Sequence, residues 1–319
     1  PVQLLQGMNR QQLAAVLATR GPVRLSAGPG TGKTRVLVAH IAHLVGAEQV
    51  TPRRVLALTF TNKAARELRE RLTGVLGPAA ADAMTMGTFH SLCLAMLRRD
   101  IARLQPDLPY RPGFAMYDAD DAVKVVREIM TEMGVVPPKQ PAAAAKSARG
   151  WTPGQVQSAI SAAKNANVSA ASYARLHGAP PLVAATFARY EAAMRARNAV
   201  DFDDLLLLST ALLQRDADAR AKYQQTWSHV LVDEFQDTNA LQYALLQLLG
   251  ARHRNVFVVG DADQAIYGWR GAEARNQAKF DSDFGIVDGP DTRAAPMPAD
   301  AFASITQLRS AVGAEGEAE

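Results

Sequence analysis

Ala27-Gly28-Pro29-Gly30-Thr31-Gly32-Lys33-Thr34 is the stretch that decides how this chain is read. It follows a short β-prone run, Val23-Arg24-Leu25-Ser26, and opens a helix-prone run over 34–45. A strand, a glycine-rich turn and a helix in that order make a cradle for phosphate. Backbone N–H groups turn inward where no Cβ obstructs them, at the positive end of a helix. In that cradle Lys33 reaches the β- and γ-phosphates and the Thr34 hydroxyl takes a place on Mg²⁺. Ala27 stands where the strict pattern has glycine, and it is nearly as small, so the loop can still close. A purely structural turn accounts for the glycines but not for the ordered strand, loop and helix around Gly-Lys-Thr. Alone, the motif implies a nucleoside triphosphate and nothing narrower.

Composition sets the bounds. With 319 residues, two domains are the default, and 48% apolar residues suffice for packed cores. No apolar run approaches the roughly 20 residues of a membrane helix, and no secretory leader opens the chain. The single cysteine, Cys93, lies in an apolar helical pattern and has no internal partner for a disulfide. These features point to a cytoplasmic protein with a buried thiol. A net charge of +4 permits nucleic-acid binding without requiring it. Pro1 in first place implies a removed initiator Met or a cut fragment.

Outward from the phosphate loop, Asn9 and Gln12 precede a helical run ending near Thr19. Arg54-Val55-Leu56-Ala57-Leu58-Thr59-Phe60 reads as a buried strand, and Thr61-Asn62 caps a helix reaching about Leu72. Met84-Thr85-Met86-Gly87-Thr88 is another strand, with a helix over 90–99. Alternating strands and helices mean a parallel sheet with helices on both faces. Residues 104–198 break the pattern, with proline clusters, helical stretches at 120–133, 153–165 and 182–197, and no convincing strand. This segment reads as an all-helical insertion. The alternation resumes at Val200, with helices over 205–215 and 240–249 and strands at 229–232 and 256–259. The domains expected are thus 1–103 and 199–284 for the two parts of the α/β unit, 104–198 for the insertion, and 285–319 for a disordered tail. The tail carries six acidic side chains, Asp288, Asp291, Asp300, Glu315, Glu317 and Glu319, against Arg293 and Arg309, with at most one short helix around 301–312.

Chemistry collects at the strand ends, where open α/β sheets bind ligands. In Val232-Asp233-Glu234-Phe235-Gln236-Asp237, Asp233 suits Mg²⁺ held through its water shell, and Glu234 suits proton abstraction from an attacking water. Downstream, Gln264 is a neutral donor and acceptor suited to sensing a γ-phosphate or orienting water. Ile266-Tyr267-Gly268-Trp269-Arg270-Gly271 offers stacking aromatics and a cation, as single-stranded nucleic acid requires. Thr59-Phe60-Thr61-Asn62-Lys63 and Gly87-Thr88-Phe89-His90-Ser91 suit phosphate contacts with base stacking, although Thr61 and Thr88 would serve equally as helix caps.

Together these stretches resemble superfamily one DNA helicases of the Rep/PcrA/UvrD type, over about residues 4–284. Asp-Glu-Phe-Gln-Asp-Thr and Ile-Tyr-Gly-Trp-Arg-Gly are far more specific to them than a phosphate loop, and Ala27 is what these helicases usually show. The resemblance implies a RecA-like P-loop fold, α/β with an inserted helical subdomain, and ATP-dependent 3′-to-5′ unwinding with ATP and Mg²⁺. By the same resemblance, Gln12 reads adenine and Arg35 packs on the nucleotide, beside the loop residues Ala27, Gly28, Pro29, Gly30, Thr31 and Gly32. Lys33, Thr34, Asp233, Glu234 and Gln264 make half of the ATPase site. Phe60, Thr61, Asn62, Thr88, His90, Tyr267, Trp269 and Arg270 face single-stranded DNA. The family continues past Phe284 into a second motor domain that supplies arginines to the transition state, each worth on the order of 10³-fold in rate or more. The expectation is a chain truncated before that domain, with a separate second motor or repair and replication proteins as partners. A single-strand binding module without unwinding activity is the alternative.

Overall fold

Helix starts are set by polar side chains that accept otherwise unpartnered backbone N–H groups. The computed structural model describes residues 5–135, 150–261 and 276–286. Asn9 and Gln12 form a reciprocal capping box at α1 (Arg10–Leu17). β1 (Val23–Ser26) then leads through the glycine turn into α2 (Lys33–Gly46). Next come β2 (Val55–Thr59), α3 (Asn62–Leu76) capped by Thr61, the short α4 (Pro78–Ala83), β3 (Thr85–Thr88) and α5 (Phe89–Asp100) capped by Thr88. A second group runs β4 (Ala115–Met116), α6 (Ala119–Glu132), α7 (Pro153–Asn165), α8 (Ala170–Tyr173), α9 (Pro181–Ala196) and β5 (Ala199–Val200). The chain closes with α10 (Phe202–Arg215), α11 (Ala217–Thr226), β6 (His229–Val232), α12 (Ala240–Gly250), β7 (Val256–Gly260) and α13 (Asn276–Phe284).

Five strands form one parallel sheet in the order β1-β7-β6-β2-β3. β2 and β7 are buried along their whole length, which is why they read as unbroken apolar runs rather than alternating ones. Alternation persists in where the side chains go. Val55 and Ala57 join the cluster beneath α2 and α3, with Leu37, Ile41, Leu68 and Phe257. Leu56 and Leu58 join the opposite cluster with Leu97, Leu206, Leu212 and Leu245 from α5, α10 and α12. Helices therefore cover both faces, and all five strands end on the same edge.

Helices α6, α7, α8 and α9 bury a hydrophobic cluster of their own, around Val126, Ile160, Val183, Phe187 and Tyr190. The chain leaves and re-enters the sheet unit side by side, because β4 and β5 pair in parallel, Ala115 with Ala199 and Met116 with Val200. The sequence reads as strand-free over 104–198, so β4 departs from that expectation. A two-residue strand is too short to carry a period and exists through its distant partner. α10 begins at Phe202 rather than 205 because Asp201 and Asp204 form a capping box. α11 was not expected either: its sequence is polar and only Ala219 and Tyr223 are buried. The expected helix at 301–312, like all of 287–319, lies outside the described residues.

Among the described residues no helix is long and apolar enough to cross a membrane. Cys93 is buried as expected, and burial pushes its thiol up to about 12, which leaves it inert.

His40 gives the fold a pH signature. Its ring stacks on Phe257 with centroids 4.3 Å apart, and Nδ1 lies 2.9 Å from the Val16 carbonyl. Burial lowers its pKa from 6.5 to about 4. The folded chain thus refuses a proton that the unfolded chain accepts below about pH 6.5, so this residue's contribution to stability is lost as pH falls toward 4. Asp204, pushed up to about 7, and Asp233 and Asp237, pushed up to about 6, act in the opposite sense. The measurement is therefore a difference. Between about pH 7.5 and about pH 5, urea unfolding should show the wild type losing about 2 kcal/mol relative to His40→Leu. Parallel profiles would contradict a neutral buried imidazole.

Candidate nucleotide and DNA site

The parallel register brings the phosphate loop beside the exit of β7. Ala27 N–H donates to the Gly260 carbonyl at 3.1 Å, extending the β1–β7 ladder into the loop. Gly32 sits at φ 87°, in the left-handed region, directly before α2, a position where a side chain would be strained. Thr31 Oγ1 donates to the Gly28 carbonyl at 2.7 Å, and Gln12 Nε2 donates to the Thr31 carbonyl at 2.8 Å. Gln12 therefore braces the loop while its other amide atom completes the α1 cap. The Arg35 guanidinium donates to the Gln6 carbonyl, which fixes the segment entering α1 against α2.

Lys33 Nζ lies 3.6 Å from Asp261 Oδ2, with the Asp261 side chain buried and the Lys33 side chain nearly so. Asp261 has no role in the sequence-based expectations, because its pairing with Lys33 exists only once β1 and β7 are neighbours. Next to β7, β6 delivers the carboxylate loop. Asp233 N–H donates to the Leu58 carbonyl at 2.9 Å, and Asp233 Oδ1 accepts from Glu234 N–H at 3.0 Å. Burial first, and the Glu234 carboxylate second, push Asp233 up to about 6, with Lys33 pulling partly back. Asp237 is likewise pushed up to about 6, and its Oδ1 is buried without a hydrogen-bond partner. Glu234 occupies the left-handed region at φ 52°, ψ 45°, a strained conformation for a residue with a side chain.

Gln236 holds this strained residue in place. Its Nε2 donates to Glu234 Oε2 at 2.8 Å, and its Oε1 accepts from Asp261 N–H at 2.9 Å. One buried amide thus ties the candidate general base to the residue that faces Lys33. Gln236 has no role in the sequence-based expectations. The available signal was its place two residues beyond Glu234 in a motif otherwise made of acids.

The donor set fits Mg²⁺. Asp233 and Asp237 are desolvated on one loop beside the half-buried Glu234, and Asp237 Oδ1 has no partner among the described residues. Among the described residues no three His, Cys, Asp or Glu side chains converge as a cage. Mg²⁺ keeps several waters and binds through one or two protein groups plus phosphate oxygens, so no cage is required.

The neighbouring strand ends carry the candidate DNA residues. Register pairs Thr59 with Thr88, so the loops after β2 and β3 adjoin. Thr61 Oγ1 accepts from Ala64 N–H at 3.1 Å, and Thr88 Oγ1 accepts from Ser91 N–H at 3.2 Å. Both threonines therefore act as caps, and each hydroxyl still has its proton to donate. Phe60 is half-buried and Asn62 exposed at this edge. His90 stacks on Phe202, with centroids 3.8 Å apart and planes 18° apart. Phe202 is 57% exposed, an unusual state for a large aromatic at the first position of a helix. Sequence reading placed it in no site. Its flanking by Asp201, Asp203 and Asp204 was the available signal. Gln264, Tyr267, Trp269 and Arg270 lie outside the described residues.

Gly260 tests the packing at this junction. A Cβ there would meet Gln236 Oε1 at 2.7 Å and Gln236 N at 3.2 Å. Gly260→Ala should cost about 1–3 kcal/mol in urea unfolding. Part of that loss should return in a Gln236→Ala background, where one of the two clashes is gone. An additive double variant would show that the two residues do not share the site.

Comparison with known proteins shows the family. The family model of the UvrD/REP helicase N-terminal domain matches residues 8–285. The ATP-dependent DNA helicase PcrA of Bacillus subtilis (strain 168) is 39% identical over 284 residues, covering 88% of this chain and 36% of that protein. PcrA of Leuconostoc citreum is 38% identical over 283 residues, and that of Staphylococcus aureus (strain Mu50 / ATCC 700699) 37% over 288. The chain thus spans about a third of the length of these relatives. A match over this much of the chain makes it a member of the UvrD/REP helicase family, carrying that family's N-terminal domain.

Proposed function

We propose that this chain is the ATP-binding and ATP-hydrolysing half of a 3′-to-5′ DNA helicase, and that its strand-end loops contact single-stranded DNA. The observation that carries the reading is the meeting of Lys33, Asp261, Gln236 and Glu234 between the phosphate loop and the carboxylate loop. Lys33 moves from Asp261 to the β- and γ-phosphates when nucleotide enters. Backbone N–H groups of Gly28, Gly30 and Gly32 line the phosphates, with Ala27, Pro29 and Thr31 shaping the turn and Gln12 and Arg35 at the base side. Thr34 and Asp233 would hold Mg²⁺, which when bound would neutralise charge on the phosphate oxygens. Glu234, aimed by Gln236, accepts the proton of the attacking water. Gln264 senses the γ-phosphate.

The DNA strand crosses the edge formed by Phe60, Thr61, Asn62, Thr88 and His90, and Phe202 extends this edge. Tyr267, Trp269 and Arg270 join it by virtue of their residue types. Aromatic stacking contributes roughly 1–3 kcal/mol per base, and phosphate contacts make the binding fall steeply with salt. The organisation that accompanies this function is an α/β unit in two parts, 1–103 and 199–284, with 104–198 as the inserted helical subdomain. The protein works in the cytoplasm with single-stranded DNA. A second motor domain and repair or replication proteins are its further partners.

Two measurements test the reading. Lys33→Ala should abolish ATP·Mg²⁺ binding in calorimetry with the circular dichroism spectrum unchanged; equal affinity in the variant would refute the phosphate-loop role. The 319-residue chain should hydrolyse ATP slowly at most, and should not displace a strand from a duplex with a 3′ tail. The arginines that meet transition-state charge in this family come from a second motor domain, whose addition should restore unwinding. Single-strand binding with no hydrolysis at all would favour a binding module instead.

A further inference from the structure

The nucleotide-facing loop and the exposed ring pair are joined by one side chain that neither set contains. Asn165 is the last residue of α7, in the helical insertion. Its Oδ1 accepts from Asn239 Nδ2 at 2.8 Å. Its Nδ2 donates to Asp203 Oδ1 at 2.7 Å and to the Ser161 carbonyl at 2.9 Å. The amide thus spends both protons and an acceptor position on three different anchors.

Each end of this bridge leads to a candidate site. Asn239 is buried and caps α12, at the exit of the loop that carries Asp233, Glu234 and Gln236. Between them, Thr238 Oγ1 donates to the Phe235 carbonyl at 2.7 Å, so the loop is internally tied as far as Asn239. Asp203 follows Phe202 directly, in the first turn of α10, and Phe202 carries the stack with His90. Next to Asn165, Lys164 Nζ lies 2.6 Å from both Asp201 Oδ2 and Asp204 Oδ1, which clamps α7 against the start of α10. Tyr190 in α9 donates to Asp201 Oδ2 at 2.9 Å, so the clamp reaches the rest of the insertion. A displacement of the carboxylate loop that carries Asn239 with it must therefore break or drag the Asn239–Asn165–Asp203 hydrogen bonds.

We propose that Asn165 is a positioning residue that couples the nucleotide-facing loop 233–239 to the exposed Phe202–His90 ring pair. The inference rests on the reading above, in which the loop meets ATP and the rings meet DNA. It adds that the helical insertion carries the coupling between them.

The test measures coupling rather than stability. Affinity of the 319-residue chain for an oligo(dT) strand is measured by fluorescence anisotropy with and without Mg²⁺ and a non-hydrolysable ATP analogue. The wild type should show an affinity change of about fivefold or more, within the usual range of coupling between sites. Asn165→Ala should bring that factor close to one, while each ligand alone still binds within about twofold of the wild type. Asn239→Ser repeats the test with the α12 cap retained, since serine also caps, but without the amide that reaches Asn165. Asp203→Asn keeps an acceptor for Asn165 and should keep the wild-type factor. An unchanged factor in both Asn165→Ala and Asn239→Ser would overturn the proposal. So would a wild type that binds both ligands independently. A wild type that binds neither ligand overturns the functional reading itself, and this inference with it.

Discussion

Parallel pairing of every strand in the main sheet is the constraint on which everything else depends. Two parallel neighbours cannot be joined by a tight turn, so each connection must cross the sheet and return. All strands then end on one edge, which brings residues from distant parts of the sequence together there. The length of a crossover costs little, since closure entropy grows only slowly with loop length. The connection between β3 and β6 uses that latitude to hold an entire helical unit with its own core.

The same edge gathers charge out of water. Lys33, Asp233, Asp237 and Asp261 are buried or nearly so, and the carboxylates outnumber the cation. The raised Asp233 and Asp237 record the electrostatic cost of this arrangement. Left-handed Glu234 adds backbone strain, held by the Gln236 bridge to Asp261. Strain and unbalanced charge thus coincide at one place on the sheet edge. The hydrophobic layers on both faces make this tolerable, because they stabilise the sheet irrespective of what happens at its edge.

The helical insertion is tied to that edge by polar contacts. Lys164 between Asp201 and Asp204, and Asn165 between Asp203 and Asn239, place hydrogen bonds of fixed geometry where apolar contact would permit sliding. Burying a paired charge brings little stability over an apolar replacement, but it fixes one orientation at high cost to others. That is the property a unit needs if movement at the nucleotide edge is to be felt elsewhere.

The sequence by itself determined the parallel α/β class, the phosphate loop, the acidic strand end and most helix boundaries. It could do so because those features are local: a buried parallel strand is a continuous apolar run, a cap is one polar residue, and a glycine turn needs its glycines in a row. α7 at Pro153–Asn165 and β6 at His229–Val232 were legible to the residue. What only the tertiary structure decided is who faces whom. Asp261 gained Lys33 through the β1–β7 pairing, Gln236 became a bridge through β7 and β6, and Phe202 met His90 through the packing of α10 on α5. β4 exists because β5 lies beside it, and Asn165 joins two sites whose residues are far away along the chain. Distances between side chains that are remote in sequence are set by the sheet order and the helix layers. No periodicity or motif spacing encodes them.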